Sequence, residues 1–277
     1  MNLEMFDEEQ RLEIEAGEKF GVDVSIYADP KYNHYQMYEI REGLEQDLDV
    51  SVYADPKYDA AQMWELRCGL EQGLDVTIFA NPQYYAEQME MIRDGLDDGL
   101  NVTLYADPQY NYEQMEQIRW GLEQGLDVSW YADPKYEWAQ MEEIRTGLEN
   151  GVDVSIYADT KYNWDQMQEL REGLERGVDV SIYADPRYDA SHMNYIYLGI
   201  RNGLDVSVYA DPQYNVEQAS EIYYGLENGV DVSLYADPKY SRDQMHEIRQ
   251  RLEESPKAAH VRPAMQLNKP TGKGLER

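Results

Sequence analysis

The chain has 277 residues, a single cysteine and a formal net charge of -31 at pH 7. With Cys68 alone, an internal disulfide framework is excluded, and no apolar run follows Met1 to suggest a signal peptide or a membrane span. We therefore expect a protein of a reducing cytoplasm. Such an acidic surface repels nucleic acid and anionic membrane and attracts basic partners.

A phrase of 26 residues repeats along almost the whole chain. It begins at Val24 as VSIYADPKYNHYQMYEIREGLEQDLD and recurs in register to give nine consecutive copies over residues 24–254, without insertion or deletion. Upstream, Gln10, Ile14 and Gly17 lie one period before their counterparts in the first full copy, so residues 1–23 are predicted to be a capping half repeat. An array of this kind is a solenoid in which each repeat contacts only its neighbours.

Each copy carries the signals of one α-helix. Asn, Asp or Ser precedes Gln by three residues, as in Asn33 and Gln36, which is the pattern of a capping box. Apolar residues then recur at helical spacing, and a glycine such as Gly73 is placed to end the helix in the left-handed conformation. Asp47 replaces that glycine once.

The segment that follows the first of these helices, residues 49–56, is shorter and allows two interpretations. An N-capped helix of one or two turns, stopped by Pro56, gives a helix pair per repeat and an all-α solenoid. A short strand gives instead a strand-plus-helix solenoid like the leucine-rich repeats. We favour the all-α solenoid of nine repeats.

Two recurrent residues within the helix need a structural reason. A mid-helix glycine, Gly43 in the first copy, predicts close approach of the neighbouring helix, because glycine there costs about 1 kcal/mol relative to alanine. A recurrent arginine, Arg41 in the first copy, is expected to pair with recurrent aspartates such as Asp29 or Asp49 rather than to bind an anion.

Residues that vary between copies fall at three helix positions spaced by four, on one helix face that we call the variable stripe. In the first copy these are His34, Tyr38 and Glu42. Aromatics beside acids are typical of protein-binding surfaces, although surface drift is the alternative. Trp130 fills a slot that is otherwise aliphatic and is predicted to be core. The candidate partner-binding residues are Tyr38, Trp64, Tyr112, Trp120, Trp138, Trp164, Tyr195, Tyr197, Tyr223 and Tyr224.

Repeats seven and eight depart most from the common phrase. His192 replaces the usual Gln, Ala219 replaces Met, and Tyr197 and Tyr223 replace the usual Arg, with Tyr195 and Tyr224 beside them. These changes indicate either a specific contact point or a local repacking in which tyrosine takes over the apolar stem of the missing arginine.

The sequence gives no sign of catalysis. Its four histidines are scattered, and it has no Gly-rich phosphate loop, nucleophile elbow or Cys/His metal spacing, so we expect no catalytic residues, metal or cofactor. After residue 254 the remaining 23 residues carry five basic side chains and one acid, a net charge of +4, and are predicted to be disordered. Residues 1–254 therefore carry -35.

The motif GLxxGLDVSxYADPxY followed by QMxxIRxGL resembles uncharacterised tandem-repeat proteins associated with mobile elements and phages of gut bacteria. The resemblance covers residues 10–254 and implies no known activity, ligand or site. Two functions remain open. The first is a non-enzymatic scaffold that binds a protein partner through the variable stripe, and a basic partner is one option. The second is an acidic nucleic-acid mimic that inhibits a DNA-binding defence protein of the restriction or CRISPR type.

Overall fold

The computed structural model describes residues 3–254, so the predicted disorder of the basic tail lies outside the described residues. Within residues 3–254 all regular structure is helical and no strand is present, which confirms the all-α solenoid. The strand-plus-helix alternative is wrong. Each described repeat pairs a twelve-residue α-helix with a three-residue 3-10 turn.

The chain divides into two compact units, residues 1–160 and residues 161–277. The α-helices of the first unit are α1 Glu8–Phe20, α2 His34–Glu45, α3 Ala60–Glu71, α4 Ala86–Asp97, α5 Tyr112–Glu123 and α6 Trp138–Glu149. Those described in the second are α7 Trp164–Glu175, α8 Ala190–Arg201, α9 Val216–Glu227 and α10 Arg242–Glu253. Within each unit every helix packs against its neighbour in the chain.

The 3-10 turns come between the helices, apart from one that precedes α1. Those of the first unit are Leu3–Met5, Val24–Ile26, Val50–Val52, Val76–Ile78, Val102–Leu104, Val128–Trp130 and Val154–Ile156. Those of the second are Val180–Ile182, Val206–Val208 and Val232–Leu234.

The helices begin at the predicted capping boxes. At the start of α2 the Asn33 side chain accepts from the backbone N–H of Gln36 at 2.9 Å, and the Gln36 side chain accepts from the N–H of Asn33 at 2.9 Å. The same Gln36 donates its amide to the carbonyl of Tyr58 in the next repeat at 2.6 Å. One side chain therefore starts its own helix and joins it to the following repeat.

The helices end as the glycine pattern predicts. Gly73 after α3 has a φ of +74°, and its N–H and that of Leu74 donate to the carbonyls of Leu70 and Gly69 at 3.0 and 2.9 Å. This is a Schellman motif, which satisfies carbonyls that the end of a helix leaves free. Asp47 takes the same left-handed position with a φ of +58°.

The segment that sequence left open is a 3-10 turn because its hydrogen bonds are local. The Asp49 side chain accepts from the N–H of Ser51 at 3.1 Å, and the N–H of Tyr53 donates to the carbonyl of Val50 at 3.0 Å. The turn is one turn long, at the short end of the predicted range. Its first residue, Val50, is buried.

The mid-helix glycines contact an aromatic ring, which is Phe79 for Gly69 and a tyrosine for the others, and not the neighbouring helix that the sequence predicted. A Cβ on Gly43 would lie 2.1 Å from the hydroxyl of Tyr53 and 2.9 Å from Val50 Cγ1. Tyr53 is fully buried and donates its hydroxyl to the carbonyl of Glu39 at 3.0 Å, one turn before the glycine. The glycine therefore makes room for the aromatic ring that follows its own helix.

Candidate protein-binding surface

An arginine–glutamate ladder joins neighbouring helices under the variable stripe. Arg67 on α3 donates through Nε to Glu39 on α2 at 2.8 Å, and Arg93 on α4 donates to Glu65 on α3 at 2.8 Å. The predicted aspartate partners were wrong. Asp49 caps the 3-10 turn, and Asp29 accepts from the backbone N–H of Lys31 at 3.1 Å.

The ladder could have been found from the sequence. A glutamate recurs two residues before most of the arginines, as Glu39 precedes Arg41. Residues two apart on one helix point away from each other, but a repeat of 26 residues brings that glutamate to the arginine 28 residues later. Arg41 itself pairs in this way with Glu13 of α1 at 2.9 Å.

In the first unit two steps of the ladder depart from the glutamate. Gln117 replaces it and still accepts from Arg145 Nε at 2.9 Å. Met91 replaces it opposite Arg119, whose buried Nε has no hydrogen-bond partner among the described residues. Arg119 reaches Asp98 through its Nη1 at 3.1 Å instead.

In the first unit the stripe aromatics point to solvent or to the edge of the ladder. Tyr38, Trp64, Tyr112 and Trp138 are 40%, 42%, 47% and 45% exposed. Trp120 is half-buried. The exposed rings have no apolar cover, so each retains area that a partner can bury.

Several stripe aromatics lie over the arginines of the ladder. The guanidinium of Arg93 is 5.9 Å from the ring centroid of Trp64, and that of Arg145 is 5.3 Å from the ring of Trp120. These are cation–π distances. The repeats thus build a recurring set of aromatic ring, guanidinium and carboxylate between consecutive helices.

In the second unit the tyrosines divide between surface and interior. Trp164 and Tyr224 are 43% and 40% exposed, and Tyr195 is half-buried. Tyr197 and Tyr223 were predicted as contact residues, but they are buried, with 6% and 5% of their surface exposed. They take the place of ladder arginines and act through packing.

His192 occupies the place of the capping glutamine. It is buried, its Nε2 donates to the carbonyl of Tyr209 at 3.1 Å, and its ring packs edge-on against Tyr188. Burial lowers the pKa of His192, so the imidazole is neutral in this contact. Its role here is structural.

The sequence predicted that Trp130 belongs to the core, but this is wrong, because 41% of its surface is exposed. Some aliphatic residues of the same slot are similarly open, with Leu104 at 42%, Ile182 at 43% and Leu234 at 56%, and the others are half-buried. The last residue of each turn between helices is therefore exposed or half-buried, whereas from Val50 onwards the valine that starts the turn is buried. Sequence periodicity cannot assign the faces of so short a turn.

Comparisons of the chain with protein-family models, curated proteins and solved structures find no match. Among residues 3–254 no helix has the length and apolar character needed to cross a membrane. The same residues hold no cluster of three or more histidine, cysteine or acidic side chains that could bind a metal ion.

Proposed function

We propose that the array is a non-enzymatic scaffold that binds a protein partner through the variable stripe. The observation that carries this proposal is the contrast between shared and variable positions. Shared apolar residues such as Met37 and Ile40 are fully buried, whereas the variable slots display exposed tryptophans, among them Trp64, Trp138 and Trp164. Large aromatics are the residues on which protein interfaces depend most.

The area that these rings still expose is large enough to support binding. A tryptophan buries up to about 250 Å², so a ring that keeps some two fifths of that area open offers roughly 100 Å² to a partner. At about 25 cal/mol per Å² each ring contributes roughly 2 kcal/mol. Three such rings would supply a substantial part of a micromolar affinity, which corresponds to about 8 kcal/mol.

The ladder also shapes the charge that a partner meets. Arg67 and Arg93 point between helices and are neutralised by Glu39 and Glu65, so these basic groups are not displayed. Acids on the outer surface, such as Glu87 and Glu217, remain exposed. A partner with basic residues around an apolar centre fits this surface best.

The test is capture from a bacterial lysate with three full-length proteins. These are the wild type, a stripe variant with Trp64, Trp120, Trp138 and Trp164 changed to alanine, and a control variant. The control carries Trp130→Val, Tyr35→Ala and Tyr85→Asn, which remove exposed aromatics outside the stripe. Circular dichroism melts check that all three are folded.

We expect the stripe variant to lose partners that the control variant keeps, with little change between low and high salt. Equal capture by the stripe variant and the wild type would contradict the proposal. Capture that is equal for the wild type and both variants, and that weakens steeply with salt, would indicate nucleic-acid mimicry instead, since that binding is electrostatic.

A further inference from the structure

A cleft between α7, α8 and α9 is the one place among the described residues of the second unit where the ladder has lost its arginines. It has a volume of about 430 Å³ and is lined by Glu169, Asn194, Tyr195, Tyr223, Tyr224 and Glu227, with smaller residues of α8 around them. It is open to solvent on one side. Elsewhere in the same unit the ladder is intact, as Arg249 donates to Glu221 at 2.9 Å.

The carboxylate in the cleft lacks the partner that its equivalents have. Tyr197 stands in the place of the arginine that would reach Glu169, and Tyr223 stands in the next such place. Glu169 accepts instead from the Asn194 side-chain amide at 3.0 Å. A neutral amide satisfies one oxygen but does not neutralise the charge.

The basic groups nearest to the cleft are already engaged. Arg176 is paired with Glu172 at 2.7 Å, and its guanidinium lies 5.6 Å from the ring centroid of Tyr197. Arg201 lies on the same ring, also at 5.6 Å, and donates to the Tyr197 hydroxyl. Glu169 forms no ion pair among the described residues.

Three tyrosines form the remaining wall. The rings of Tyr195, Tyr223 and Tyr224 lie 5.3 to 6.1 Å apart between centroids and are inclined to one another by 51° to 77°. The Tyr223 hydroxyl donates to Glu227 at 3.2 Å. Tilted aromatic rings beside a carboxylate attract a cation through the negative charge of their faces.

The protein shows which cation fits such a setting. In the first unit the guanidinium of Arg93 lies between Glu65 and the ring of Trp64, at 2.8 Å from the carboxylate and 5.9 Å from the ring centroid. In the second unit Arg249 lies in the same way between Glu221 and Tyr224. The cleft at Glu169 offers the carboxylate and the rings of Tyr195 and Tyr223, and among the described residues no guanidinium lies on these two rings.

We infer that this cleft is a binding site for an arginine side chain of the protein partner. The guanidinium pairs with Glu169 and packs on the tyrosine faces, as the internal arginines do in intact repeats. That the arginine belongs to a protein rests on the proposed scaffold function, whereas the affinity of the cleft for a guanidinium does not.

The probe is Nα-acetyl-arginine amide, titrated into the full-length protein with ring-labelled tyrosine and followed by nuclear magnetic resonance. Nα-acetyl-citrulline amide is the matched neutral probe, because it keeps the shape and lacks the charge. Two variants alter the site. Glu169→Gln removes the charge without changing the shape, and Tyr197→Arg restores the arginine that reaches this glutamate in intact repeats. Glu217→Gln, at an exposed acid of α9 outside the cleft, is the charge-matched control.

We expect saturable shifts of the cleft tyrosines with the arginine probe and binding about tenfold weaker with citrulline, Glu169→Gln or Tyr197→Arg, since tenfold corresponds to about 1.4 kcal/mol. Glu217→Gln should bind as the wild type does. Absence of saturable shifts, equal shifts with citrulline, or equal losses in Glu169→Gln and Glu217→Gln would each overturn the inference. The stripe variant leaves the cleft intact, so failure of the scaffold and failure of the cleft are separate results.

Discussion

Replacement of Gly121 by alanine tests why glycine recurs in the middle of every inner helix. Helix propensity alone predicts a gain of about 1 kcal/mol in the free energy of unfolding. The structure predicts a loss, because the new Cβ would lie 1.9 Å from the Tyr131 hydroxyl and 2.9 Å from Val128 Cγ1. Tyr131 is fully buried, and its hydroxyl donates to the carbonyl of Gln117 at 3.2 Å.

The expected size of the loss follows from these contacts. The ring must move by about 1.5 Å before the hydroxyl reaches an ordinary contact distance of 3.4 Å. Overpacking of this kind costs about 1 to 3 kcal/mol, and the broken hydrogen bond adds about 1 kcal/mol. After the gain in propensity we expect a net destabilisation of about 2 kcal/mol.

The assay is urea unfolding followed by circular dichroism, with the midpoint compared at an unchanged slope. Gly69→Ala is the matched control, because it faces Phe79 and meets no hydroxyl. It should cost about 1 kcal/mol less than Gly121→Ala, which is the hydrogen-bond contribution. Tyr131→Phe in the Gly121→Ala background should recover part of the loss. A neutral or stabilising Gly121→Ala would refute the explanation.

Three further predictions concern single buried groups. Tyr183→Phe should leave the urea midpoint nearly unchanged, whereas Tyr131→Phe should cost about 1 kcal/mol, because the buried Tyr183 hydroxyl has no hydrogen-bond partner among the described residues; equal losses would contradict this. Met91→Glu should raise the free energy of unfolding by about 1 kcal/mol, because it gives Arg119 Nε its missing acceptor. A lower free energy of unfolding would show that the packing of the methionine matters more. Burial raises the pKa of Glu169, so the unfolded chain ionises first and the wild type loses stability as pH rises from below the ordinary carboxyl pKa through the raised value. Glu169→Gln should therefore be more stable than the wild type at neutral pH and equal to it in acid. Thermal melts across that pH range test this, and a difference in melting temperature that stays constant with pH would contradict it.

The sequence was most informative where the determinants are local. Capping boxes such as Asn33 with Gln36 and chain reversals such as Gly73 act within a few residues, so helix starts and ends were predicted correctly. The type of the 3-10 turn was harder to assign, because five apolar residues have no periodicity. The Asp49 side chain favours the 3-10 turn, because it caps the start of the turn by accepting from the backbone N–H of Ser51.

The errors arose where residues from different repeats meet. The mid-helix glycine depends on a tyrosine ten residues later, and each ladder arginine depends on a glutamate 28 residues earlier. Neither contact can be predicted from the spacing of residues within a single helix. Similarly, Trp130 was assigned to the core by its aliphatic counterparts, although those residues are themselves half-buried or exposed.

Footprinting of the captured complex by hydroxyl radicals tests the scaffold account most directly. Trp64, Trp138 and Trp164 in the stripe are 42%, 45% and 43% exposed, and Trp130 outside it is 41% exposed, so the four rings start with nearly equal accessibility. The account predicts that the three stripe tryptophans are protected from oxidation in the complex while Trp130 reacts as in the free protein. Protection of Trp130 alone, or of all four rings alike, would contradict it.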